Sequence, residues 1–394
     1  MCIRDRGNGG ISELAECVDI NVMDKEKMTA FAKENNIDLV MVAPDDPLVD
    51  GMVDAMEAAG IRAFGPRANA AIIEGSKAFS KELMKKYGIP TAGYEVFTDS
   101  ASAIAYLKKG TFPAVIKADG LALGKGVIIA QDLEEAEEAV HEMIDKGKFG
   151  KSGSRVVIED YLTGPEVSVL AFTDGKTVKP MVSAQDHKRA YDNDEGLNTG
   201  GMGTFSPSRL YDNAKADECM ENIFLPTIKA MSAEGRPFRG VLYFGLMMTK
   251  DGVKVIEYNC RFGDPETQVV LPRLKADLVD IMEAVIDERL DKIDIEWADN
   301  AAVCVVMASG GYPVKYEKGY EISGLDDVKA DDLIVFHAGT AVKDGKFVTN
   351  GGRVLGVTAV AEDLDRAIEK SYAAVEKIHF KDAHYRHDIG IKKY

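Results

Sequence analysis

Cysteine is scarce in this chain, and the few present do not pair. Cys2, Cys17, Cys219, Cys260 and Cys304 are scattered with no C-x-x-C spacing. That excludes a disulfide frame or a zinc ribbon and suits reduced thiols in a cytoplasm. Long apolar runs are missing too: none approaches the roughly 20 residues that cross a bilayer, and no secretory signal is expected. Positive charge is in deficit, with 48 Lys and Arg against 65 Asp and Glu for a net charge of −17. This balance argues against nucleic acid or an anionic membrane as partner, but not against nucleotides, because a few local lysines bind phosphate inside an acidic protein. No serine sits in a G-x-S-x-G elbow and no Cys/His pairing stands out, so covalent nucleophilic catalysis has no carrier.

What is present is a globular composition. The 394 residues are 46% apolar and 29% charged, enough for roughly two to four structural units. The first segment alternates helix and strand: "DKEKMTAFAKENN" (24–36), "IDLVMVAP" (37–44), "PLVDGMVDAMEAAG" (47–60) and "IRAFGP" (61–66). This is the rhythm of a parallel sheet. "MCIRDR" matches no element, and "GNGG" (7–10) reads as a plain loop because no apolar strand precedes it. A sheet that starts at its second half predicts that a first β-α unit of about thirty residues is missing. Further on, "EVSVLAFTDG" with "KTVKPMV", and "GVLYFGLMMTKDG" with "VKVIEYNCRF", turn at Asp-Gly and predict two hairpins.

"VIKADGLALGKGVIIA" (115–130) carries Gly120, Gly124 and Gly126 between two β-rich ends. It lacks the spacing and the final hydroxyl of a P-loop, and a strand follows where a dinucleotide fingerprint needs a helix. It is a hairpin whose tip, with Lys125, can cover a phosphate. Lys117 enters it inside apolar alternation and needs an anion to justify burial. Lys77 lies early in a helix, where the dipole disfavours a cation unless phosphate is near. In "VIEDYLTGPEVS", the segment Glu159, Asp160, Tyr161, Leu162 offers free backbone groups to a base edge, and Glu166 an acceptor for ribose hydroxyls.

"VKVIEYNCR" (253–261) is the strongest local signal. Alternation puts Glu257, Asn259 and Arg261 on one face: two hard oxygen ligands for a divalent cation, and a planar fork for an anionic substrate. Cys260 faces the other way. In "RFGDPETQ" (261–268), Arg261, Asp264 and Glu266 suit a zwitterion, or else a charged helix cap. "SAQDHKR" (183–189) brings Asp186 and Lys188. "NTGGMG" (Asn198, Thr199, Gly200, Gly201, Met202, Gly203) predicts a nest of backbone donors for a phosphorylated sugar. A lid, lysines and a carboxylate-held metal together indicate phosphoryl transfer by positioning and electrostatics.

In combination these stretches resemble the ATP-grasp superfamily and, within it, the phosphoribosylamine–glycine ligases. The pieces that carry the resemblance are "FGPRANAAIIEGSKAFSK", "VIKADGLALGKGV", "QDHKR", "NTGGMG", "VIEYNCRFGDPETQ", "FHAGT" and "NGGRVLGVTA", in that order. The resemblance implies an α/β and α+β multidomain fold. An N-terminal parallel-sheet domain would span 1–66, its first unit truncated. An ATP-grasp large subdomain would span 67–92 and 166–295, a lid subdomain 93–165 and a C-terminal domain 296–394. It implies ATP-dependent ligation of glycine to 5-phospho-D-ribosylamine through a glycyl phosphate, with Mg²⁺ or Mn²⁺.

By the same resemblance, Lys77, Lys117, Gly120, Gly124, Lys125 and Gly126 would hold ATP phosphates, Glu159, Tyr161 and Leu162 would flank adenine, and Glu166 would bind ribose. Glu257 and Asn259 would hold the metal. Arg261, Lys188 and Asp186 are the catalytic candidates; Asp45, residues 198–203, Asp264 and Glu266 are the substrate contacts. Many ATP-grasp enzymes carry another acidic ligand twelve residues before this glutamate; here Gly245 stands there. Asp45, in "APDDPLV", replaces the family's usual glutamate. A cytoplasmic monomer is expected. The alternatives are another ATP-grasp carboxylate–amine ligase or an inactive ATP-binding fragment.

Overall fold

In the computed structural model, residues 2–3, 7–122 and 126–391 are described. Near the start, Cys2–Ile3 pairs in parallel with Glu16–Cys17, so the opening residues contribute a strand where none was expected. Strand Leu39–Met41 pairs in parallel with Arg62–Phe64. Between them lies not one helix but two, Asp45–Val49 and Met52–Ala58, because Gly51 takes a left-handed φ of 88° that a helix cannot pass through. Helix Lys25–Glu34 starts where Asp24 accepts a bond from the Lys27 amide.

The lid is a four-stranded antiparallel sheet in the order Tyr94–Phe97, Val156–Asp160, Ala114–Ala118, Val127–Ala130. Helices Ser100–Leu107 and Leu133–Val140, each capped by an aspartate, supply Ala103, Leu107, Ala136 and Val140 to a core shared with Ile116 and Ile158.

Beneath it lies a second antiparallel sheet, the floor, in the order Val178–Pro180, Glu166–Asp174, Arg239–Thr249, Gly252–Asn259. One face buries Val167, Val169, Leu242, Phe244, Leu246, Val253 and Val255 in the largest core. The other face carries Glu166 and Ser168, Tyr243 and Gly245, Glu257 and Asn259 on adjacent strands. Farther along that face, Leu170, Phe172 and Val241 share a core with helix Leu278–Ile286.

A five-stranded sheet in the order Gln185–Asp186, Gly203–Ser206, Ala301–Ala308, Arg353–Ala361, Leu333–His337 lies beside helix Leu364–Val375. Its first two strands were expected to belong wholly to the large ATP-grasp subdomain. Their ladder runs instead onto Ala301–Ala308, because Phe205 buries itself with Val303, Val305 and Ile389. A bridge from Ser168 to Ala184 ties this sheet back to the floor. The "GNGG" loop docks here as well: the Asn8 amide donates to the His337 carbonyl at 2.6 Å, and the Gly9 amide meets Thr340.

Candidate active site

The floor's edge strand contains a β-bulge. Gly245 faces Glu257 and Leu246 faces Val255, leaving Ile256 as the extra residue. Val253 and Val255 before it, and Tyr258 and Cys260 after it, all point into the same core. The extra residue therefore changes the parity of the strand. Without it, Glu257 would share the face of Val255 and be buried among apolar side chains. With it, Glu257 and Asn259 face the lid. Burial alone would raise the Glu257 carboxyl, but Lys188, Lys117, Lys77 and Arg261 outweigh it and hold the group below its usual range. Among the described residues none of these cations comes within 4.0 Å of it as an ion pair.

The lid side is held by buried charge. Lys117 Nζ lies 2.8 Å from Glu159 Oε1 and donates to the carbonyl of Ile256, the bulge residue, at 3.3 Å. Lys77 Nζ donates to the Gly120 carbonyl at 3.1 Å, and burial lowers its pKa. The hairpin's base is fixed by Asp119, which accepts from the Ala78 amide at 2.7 Å, from Ser76 Oγ and from Arg155. A Cβ on Gly120 would stand 2.4 Å from Ser152 Oγ, and one on Gly126 2.6 Å from the Ala122 Cβ, so both glycines permit close approach. Gly124 and Lys125 lie outside the described residues.

Glu159 corrects an expectation. It is on the lid's central strand, paired on both sides with Tyr94 and Val115, and its carboxylate is buried between Lys81 and Lys117. It has no free backbone edge to offer. Chain without a strand partner begins past Asp160, at Tyr161, which is 42% exposed, and Leu162.

The substrate side departs further from expectation. The donors of residues 198–203 are not free. The Thr199 amide bonds the Lys188 carbonyl at 2.8 Å, Gly200 bonds Tyr312 Oη, Gly201 bonds Thr199 Oγ1 and Met202 bonds the His187 carbonyl. The loop folds back on residues 187–188, and Met202 is wholly buried, while Asn198 is exposed. Gly203 lies in the ladder opposite Val305. The loop presents carbonyls instead: Gly200 and Gly201 both accept from Arg353 Nη1. Arg353 also takes Asp264 Oδ2 at 2.6 Å, while Gln268 donates to Oδ1, so the Asp264 carboxylate is already satisfied.

Glu266 faces inward, accepting from Ser168 Oγ at 3.1 Å and Tyr243 Oη at 3.0 Å. Lys188 pairs with Glu166 at 2.5 Å. Burial pushes the Asp186 carboxyl up to about 7, with Glu266, Glu166 and Glu257 adding to it against the pull of Lys188. Arg261 is shared between Glu74 Oε1 and Asn259 Oδ1, both at 3.3 Å, and feels the charge of Asp45.

Comparison with known proteins identifies the family of the chain. Three parts of one family match in chain order: "Phosphoribosylglycinamide synthetase, N domain" over residues 1–74, "ATP-grasp (A) domain" over 75–267 and "C domain" over 302–392. The chain belongs to the phosphoribosylglycinamide synthetase family. It is 51% identical to the phosphoribosylamine–glycine ligase of Halalkalibacterium halodurans over 98% of this chain and 90% of that one. Against the ligase of Caldanaerobacter subterraneus it is 49% identical over 98% and 92%.

A crystal structure of the Thermotoga maritima phosphoribosylamine–glycine ligase superposes with a TM-score of 0.84 at 34% identity, covering 98% of this chain and 93% of that one. A biotin carboxylase from Campylobacter jejuni shares the fold at 16% identity, with a TM-score of 0.75 over 98% of this chain and 86% of that one.

The residues fit the divalent cation that an ATP-grasp family implies. Glu257 is an ionised carboxylate without an ion-pair partner, Asn259 adds an amide oxygen, and no group of three or more His, Cys, Asp or Glu stands ready elsewhere among the described residues. Mg²⁺ prefers few protein ligands completed by phosphates and water. Glu74, Lys81, Asp119, Arg155, Tyr243 and Arg353 all belong to this site and were not singled out from the sequence.

Proposed function

We propose that this protein joins glycine to 5-phospho-D-ribosylamine using ATP, giving glycinamide ribonucleotide, ADP and phosphate. The observation that carries this reading is that Lys117 reaches the Ile256 carbonyl beside Glu257 while Lys77 holds the Gly120 carbonyl of the glycine hairpin, and that their charges, with those of Lys188 and Arg261, act on Glu257. Membership of the phosphoribosylglycinamide synthetase family makes it a carbon–nitrogen ligase of de novo purine biosynthesis.

ATP lies between lid and floor. Lys77 exchanges the Gly120 carbonyl for a phosphate oxygen, and Lys117 turns its free charge toward the same triphosphate. Tyr161 and Leu162 flank the base, and Glu166 accepts from the ribose. Glu257 and Asn259 would hold Mg²⁺ or Mn²⁺, which would neutralise charge on the phosphates. A glycine carboxylate oxygen attacks the γ-phosphorus as the bond to the β-phosphate oxygen breaks, giving glycyl phosphate and ADP. The amine of the ribosylamine then attacks the acyl carbon, phosphate leaves, and the amine loses a proton. Asp186, with its carboxyl near 7 beside Lys188, suits that proton acceptor. Arg261, held by Glu74 near Asp45, is the anion contact.

No helix among the described residues is long and apolar enough to cross a membrane; the free thiols Cys17, Cys219, Cys260 and Cys304 suit a cytoplasmic setting. The test is ADP release by the purified chain. Release that needs glycine and phosphoribosylamine together supports the reading. Release with other carboxylate–amine pairs alone points to a different ATP-grasp ligase, and ATP binding without turnover in any mixture points to an inactive fragment.

A further inference from the structure

Lys81 lies one helical turn beyond Lys77, 2% exposed, with no route to a ligand of its own. Its Nζ is 2.7 Å from Glu159 Oε2 and donates to Thr91 Oγ1 at 2.7 Å, and Thr91 in turn donates to the Val255 carbonyl at 2.7 Å. Lys117 approaches the other oxygen of Glu159, and its directed bond goes to the Ile256 carbonyl. Glu159 Oε1 accepts no well-directed hydrogen bond among the described residues. The helix, two lid strands and the bulge of the floor thus meet at one buried carboxylate flanked by two ammonium groups.

A buried carboxylate demands a full counter-charge. With a single lysine beside it, Glu159 would take the whole of that lysine. With two, the group keeps one positive charge in excess, and Lys117 is among the cations felt at Glu257.

We infer that Lys81 is a positioning residue: by neutralising Glu159 from behind, it leaves the Lys117 ammonium free to bind the triphosphate. This rests on the ATP reading above. Desolvation brings Lys81 down to about 8, in accord with a charge kept there by Glu159.

The experiment is ATP affinity by isothermal titration calorimetry, which needs no turnover and so stands apart from the choice of acceptor substrate. In Lys81→Met, Lys117 collapses onto Glu159, and ATP is expected to bind about tenfold more weakly, with the KM for glycine unchanged. In Lys81→Met/Glu159→Gln both charges go, Lys117 is released, and affinity returns to within about threefold of the parent. If the single variant does not fold, a folded double variant with near-parental affinity supports the same conclusion. Unchanged ATP affinity in Lys81→Met overturns the inference. So does a double variant that binds as weakly as the single one. A parent chain that binds no ATP at all instead overturns the reading of the site.

Discussion

The end of the edge strand, 257–259, and the loop 198–203 were read from sequence with equal directness, yet only the strand points its groups as read. In the strand, side-chain direction follows from a period of two, so Glu257 and Asn259 had to share a face once either was exposed. In the loop, glycines free the backbone to turn its amides toward any acceptor, and the nearest were the chain's own: Lys188, Tyr312, Thr199 and His187. Periodicity fixes where side chains point; glycine content tells only that backbone groups can turn.

The largest expected effect tests the strand. Glu257→Gln should lower kcat by about 10²–10³-fold while leaving the fold intact by circular dichroism; a change below tenfold would remove the strand's privileged status. The next concerns His187, whose carbonyl anchors the loop. Burial, aided by Arg386, lowers its pKa to about 4 from 6.5. Because the folded value lies below the unfolded one, the folded state loses stability as pH falls from 6.5 toward 4, by on the order of 3 kcal/mol in full. Urea unfolding at pH 7 and pH 4.5 should show that loss in the parent and a much smaller one in His187→Gln.

Gly201→Ala is expected to cost about 1–3 kcal/mol, because φ is 111° and the new Cβ would stand 2.4 Å from Pro265 Cδ; a lowered Tm checks it. Arg353→Met should raise the KM for phosphoribosylamine about tenfold by releasing the loop's carbonyls and Asp264. Smallest of all, Asn198→Ala should change stability by less than about 0.5 kcal/mol, since that side chain is exposed.

Much of the architecture was legible because hairpins and helices announce themselves locally. The Asp-Gly turns at 174–175 and 251–252 closed the two predicted hairpins. Lys117 illustrates a half-read signal. Its burial did require an anion, but the nearest one is Glu159 within the protein, from a strand later in the chain. The pairings of Asp119 with Ser76 and Arg155, of Lys81 with Glu159, and of Arg353 with Asp264 were invisible for one shared reason: each is made by tertiary contact between distant segments, and no local pattern links the partners. Gly51 gave the opposite lesson. It lies inside 47–60, which reads as one helix, and its left-handed backbone divides that stretch in two.

Gly245 lies directly across from Glu257, and a Cβ there would come within 3.1 Å of the glutamate's Cγ. Any attempt to install a second acid at that spot by design would begin with a tight contact, which the glutamate must shift to relieve, and two like charges abreast. An engineer who wanted a different cation preference would have to vary positions 245 and 257 together.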